Sequence, residues 1–132
     1  MAWFHGWDIH AAHEGRLDPW TVWRGEAPNN LWLRRDLTAP WVLDLTVGEG
    51  TDTEWVYRRD AVVRRPWREA ILTSRTGVPY LAPELQLLFK SKHLREKDTM
   101  DAERVIPELV ADQRNFLINH LPEDHAWQQL LR

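Results

Sequence analysis

From Val78 to Asp101 the apolar residues fall at helical spacing. Leu81, Leu85, Leu88 and Phe89 form one stripe, and Pro83 stands where a first turn tolerates a missing amide donor. The spacing predicts a helix over about 82–94. A second is expected over about 99–120, kinked or split at Pro107, and a short last one from Glu123. Earlier in the chain the period changes to two. Trp41, Leu43, Leu45 and Val47 alternate with Val42, Asp44 and Thr46, the pattern of a half-buried strand. Gly48 and Gly50 mark a turn, and Trp55 and Tyr57 share one face of a returning strand, so 41–58 reads as a hairpin with a long loop. Residues 6–13 form a short strand before a turn at Glu14-Gly15, a proline-containing loop at 27–30 leads to LWLRR at 31–35, and AVVRRPWREAIL is a connector or short helix.

These elements predict an α+β chain: a mostly antiparallel or mixed sheet over about 1–65, then a helical layer over about 66–132, in a single domain. With 132 residues, 43% hydrophobic and 28% charged, the chain is long enough to bury a core. A net charge of −3 argues against a nucleic-acid partner. Cysteine is absent, which excludes disulfides and thiolate metal sites and fits a reducing compartment. No apolar run approaches the ~20 residues that span a bilayer, and no leader pattern is present, so a cytoplasmic location and no membrane partner are expected. Most of the nine tryptophans read as packing residues in strands and core.

Candidate chemistry is sparse. Lys90, Lys92, His93, Arg95 and Lys97 crowd the end of the first predicted helix and hold all three lysines of the chain. Cations there complement the helix dipole for ~0.3–1 kcal/mol each, which explains them without function. Asp98 is placed to cap the next helix, with Asp101 in its first turn. Asp44 lies on the strand face opposite Trp41, Leu43 and Leu45, as a solvated carboxylate would. His5, His10 and His13 with Asp8 do not make a zinc pattern, because His10 shares a strand face with Asp8 while His13 falls on the other. The arginine-rich run at 57–68 reads as a solvated loop, and no metal site is expected.

PYLAPELQLLFKSKHLREKDTMD at 79–101 resembles the C-terminal half of nucleotidyltransferase-fold proteins of the aminoglycoside adenylyltransferase type. GWDIHAAHEGRLDPW at 6–20, APWVLDLTV at 39–47 and EWVYRRD at 54–60 agree in order, so the resemblance spans nearly the whole chain. It implies a mixed sheet flanked by helices and transfer of a nucleotidyl group from a magnesium-bound nucleoside triphosphate to a hydroxyl. It also implies a catalytic role for Asp44, the family's third strand carboxylate, and phosphate contacts for Lys90 and Lys92. The KDxxD segment is implied to pin two helices together. The family's adjacent glycines and metal-binding DxD are missing here, as in a member that begins after its catalytic hairpin. The chain is therefore expected to be inactive alone, to hold phosphate or nucleotide weakly, and to dimerise or bind a partner protein through its sheet. The alternative is a non-catalytic interaction or dimerisation module.

Overall fold

A computed structural model describes residues 4–22, 24 and 28–132. It is a mixed α and β structure with antiparallel sheets, and it divides into two compact units, 1–64 and 65–132. Trp3, Trp23 and the first residue of the expected loop at 27–30 lie outside the described residues.

The first unit is built on a four-stranded sheet of order β2-β1-β3-β4, in which β1 is Asp8–His13, β2 Arg16–Pro19, β3 Asn30–Arg34 and β4 Leu43–Thr46. Every pairing is antiparallel. The turn between β1 and β2 has two residues, Glu14 at φ 48° and Gly15 at φ 77°. Two successive positive φ values match the right-handed twist of the flanking strands, and glycine adopts one without a steric cost. Behind the sheet, Ala11 and Leu33 are completely buried. Further along, β5 (Glu49–Gly50) pairs with β6 (Glu54–Val56), and Trp55 stacks on Tyr57 with ring centroids 6.0 Å apart.

The expected hairpin over 41–58 is corrected here. Its first arm, β4, pairs with β3, Leu43 opposite Leu33 and Leu45 opposite Leu31, while its second arm, β6, pairs with β5. Alternation fixes which side chains share a face but not which strand lies alongside. The apolar strand LWLRR on the N-terminal side, at a similar separation, takes the ladder instead of Trp55 and Tyr57 on the C-terminal side. Being outermost, β4 also leaves Leu43 and Leu45 each 36% exposed.

Strand β7 (Arg64–Pro66) starts on the last residue of the first unit. In the second unit the connector becomes a four-residue helix α1 (Trp67–Ala70) and β8 (Ile71–Thr73), which forms a hairpin with β9 (Pro79–Leu81). Leu81 thus belongs to a strand, not to the helical stripe. Helix α2 is Pro83–Lys90, shorter than expected, and buries Leu85, Leu87 and Leu88. Helix α3 (Glu96–Val105) starts three residues before the expected boundary. Pro107 splits the long helix, sitting in a 3-10 turn, Ile106–Glu108, before α4 (Ala111–His120). The last helix, α5, is Gln128–Leu131, later than expected. Buried Gln128 explains its position: Nε2 donates to the carbonyls of Ile118, in the last turn of α4, and of Leu121 and Pro122 just beyond it.

Leu117, with no exposed surface, marks the apolar centre of α4. Leu117→Ala is expected to cost about 2–5 kcal/mol in urea unfolding. Leu130→Ala, at a position 42% exposed, should change stability by no more than about 0.5 kcal/mol.

Candidate functional site

Strand pairing assembles one polar sheet face in the first unit. Opposed residues share a face, so His10, Trp32 and Asp44 form one cross-strand row, with Asp8 opposite Arg34 on one side and Ala12 opposite Asn30 on the other. Asp8 organises one end of this face. It accepts from Arg34 Nε at 2.6 Å and lies 3.2 Å from His10 Nε2. Trp41 covers the pair, with the Arg34 guanidinium 4.3 Å from its ring centre and the His10 ring 5.1 Å away edge-on. Arginine over an indole is attracted by the ring quadrupole, so Trp41 and Asp8 hold the same cation from two sides.

Asp44 sits at the other end, where its strand puts it opposite Leu43 and Leu45. The carboxylate is exposed and accepts from Asn30 Nδ2. It borders a shallow cleft of about 350 Å³ whose lining includes Ala12, Glu14, Arg16, Leu17, Asn30 and Trp32. The small side chain of Ala12, between larger neighbours, leaves that space. The donor set does not fit a pair of magnesium ions: among the described residues no three His, Asp or Glu side chains converge on one point. Two-metal chemistry needs carboxylates that fix the ions ~3.5–4 Å apart.

Lys90 and Lys92 belong to the second unit, and the structure treats them differently. The Lys90 ammonium donates to Asp101 Oδ2 at 2.7 Å and to Asp98 Oδ1 at 3.2 Å. Lys92 follows α2 and is exposed. Asp98 is almost fully buried, 1% exposed, and it also accepts from Arg95 Nε at 2.7 Å, Arg95 Nη2 at 3.1 Å and the Arg95 backbone N–H. It therefore caps α3 from the third helical position, reaching back to the residue before the helix. Through Asp98 and Asp101 the KDxxD segment ties the end of α2 to the start of α3. Lys90, which donates to both aspartates of that segment, is a structural cation and not a free contact for phosphate.

Two groups, one half-buried and one buried, carry no mark in the local sequence. Arg34 looked like one of many scattered arginines, and only the register across 26 positions brings it to Asp8. Glu84 reads as an ordinary first-turn acid, yet it is 4% exposed, and its Oε2 has no hydrogen-bond partner among the described residues. Comparison with protein-family models, curated proteins and solved structures found no match.

The Arg95 and Lys90 hydrogen bonds hold the Asp98 carboxyl well below its ordinary value of 3.8, while Asp101 and Asp98 raise Lys90 above 10.5. A depressed carboxyl contributes stability that is complete above its unfolded value and is lost as pH falls below it. A raised ammonium contributes below its unfolded value and loses that contribution as pH climbs past it. Asp98→Asn should accordingly lower the thermal midpoint at neutral pH and flatten the fall in stability below pH 3.8. Thermal scans of both proteins across the acid range check this; parallel curves would contradict it.

Proposed function

We propose that this chain is a nucleotidyltransferase-like protein, of the aminoglycoside-modifying type and cytoplasmic, with no transferase activity of its own. The ordered motifs at 6–20, 39–47, 54–60 and 79–101 support the relationship. The observation that carries the reading is the setting of Asp44: a strand carboxylate on the polar sheet face, bordering a cleft whose lining includes Trp32. A carboxylate within hydrogen-bond reach of a hydroxyl serves as its general base. Asn30, which also lines the cleft, donates to Oδ1 of Asp44, and Oδ2 is the oxygen assigned to an acceptor hydroxyl. Asp44 has no adjacent acid with which to hold metal ions, and the sequence contains neither the glycine pair nor the DxD that would complete the machinery.

Purified protein incubated with Mg-ATP and an aminoglycoside panel should transfer no nucleotide. Turnover well above background that disappears in Asp44→Ala would overturn the reading. Phosphate contact, on the same view, falls to Lys92, since Lys90 is neutralised by two aspartates. Titration with ATP should produce weak, salt-sensitive shifts of the amide signals around Lys92, reduced by Lys92→Ala, because screening confines a local positive field to ~8–10 Å at ordinary salt. Fixed signals at saturating nucleotide would refute that contact.

A further inference from the structure

Of the two outer strands in the four-stranded sheet, β2 carries an edge-blunting proline, while β4 pairs on one side only among the described residues. Strand β2 ends at Pro19 and passes directly into a 3-10 turn at Trp20–Val22. Proline at an edge withholds a ladder donor and blunts pairing. Strand β4 reads LDLT, without lysine, proline or glycine, and all four residues are exposed.

The direction of its backbone groups follows from one hydrogen bond. The Val47 N–H donates to the Asn29 carbonyl at 2.9 Å, continuing the register in which Leu45 opposes Leu31 and Leu43 opposes Leu33. Hydrogen-bonded positions alternate along an antiparallel ladder, so Leu43, Leu45 and Val47 turn their backbone groups toward β3. Asp44 and Thr46 turn theirs to the open side.

We propose that β4 pairs with β4 of a second copy of this chain, antiparallel, with the two-fold axis at Leu45. That register sets the Asp44 N–H and C=O against those of the partner copy's residue 46, and the reverse, completing four hydrogen bonds. Leu45 opposes its own copy at a non-hydrogen-bonded position, where side chains are closest, and Leu43 opposes residue 47. Each Asp44 carboxylate then faces a threonine hydroxyl. Centring the axis on Asp44 instead would oppose two like charges, which destabilises a cross-strand pair. The edge is thus complementary to itself in hydrogen bonds and charge, and the sheet becomes eight-stranded with no unprotected centre. This pairing uses the backbone of Asp44, leaves its side chain on the cleft face, and stands independently of any catalytic reading.

Light scattering should give twice the 15.7 kDa chain mass at high concentration. Thr46→Pro removes an N–H that β3 does not use, so it should halve that mass while leaving the circular dichroism spectrum unchanged. Because the chain contains no cysteine, single cysteines report the register and remain informative if the proline variant misfolds. Leu45→Cys should form an intermolecular disulfide under mild oxidation, since its two copies meet across the axis. Leu43→Cys should not. A monomeric mass at every concentration, a folded Thr46→Pro dimer, or equal cross-linking by both cysteine variants would each overturn the proposal.

Discussion

A carboxylate taken out of water must be met by cations and hydrogen-bond donors, and the helical unit is arranged around that requirement at Asp98. Both of its oxygens are used, by Arg95 from the turn before α3 and by Lys90 from the end of α2. Asp101, one turn further along, takes the same ammonium. Removal of Arg95 or Lys90 leaves the buried Asp98 carboxylate with half of its cationic partners, a larger loss than the net value of the pair. This explains why charged residues of opposite sign are concentrated where two helices meet at a short turn. The same cations that complement the end of α2 also fix where α3 begins.

In the sheet unit the corresponding constraint is the register of β3. It gives Leu33 to the apolar side and Trp32, Arg34 and Asn30 to the polar side, and each of the latter three organises something different. Arg34 joins Asp8 to Trp41, Trp32 lines the cleft, and Asn30 holds Asp44. A one-residue slip would exchange the two faces and remove all three arrangements together. Asp44 is consequently a residue with two exposures, its carboxylate toward the cleft and its backbone toward the open edge.

The candidate site was unevenly legible. Asp44 could be placed on the face opposite Leu43 and Leu45 because a strand has a period of two, and that needs only local sequence. Its neighbours Asn30, Trp32 and Arg34 come from a strand paired with its own over 10 to 16 positions, a distance that alternation cannot span. Lys90 illustrates the opposite difficulty. Its place at a basic helix end was evident, but its availability for phosphate depended on Asp98 and Asp101, eight and eleven residues away and beyond a turn.

Sequence alone determined the class of the chain: strands before helices, antiparallel pairing, a helix starting at Pro83, a break at Pro107 and a tight turn at Glu14-Gly15. These are consequences of local sterics, missing donors and the spacing of apolar side chains, all written into a few consecutive residues. Tertiary structure decided which strand β4 pairs with, that Leu43 and Leu45 are left half-exposed at an edge, that α2 stops at Lys90, and that α5 waits until Gln128. Each depends on a partner remote in sequence: LWLRR for β4, Asp98 and Asp101 for Lys90, and the carbonyls at the end of α4 for Gln128. Hydrogen bonds and ion pairs between distant segments carry no periodic mark in either segment, and their partners are fixed only when the chain closes upon itself.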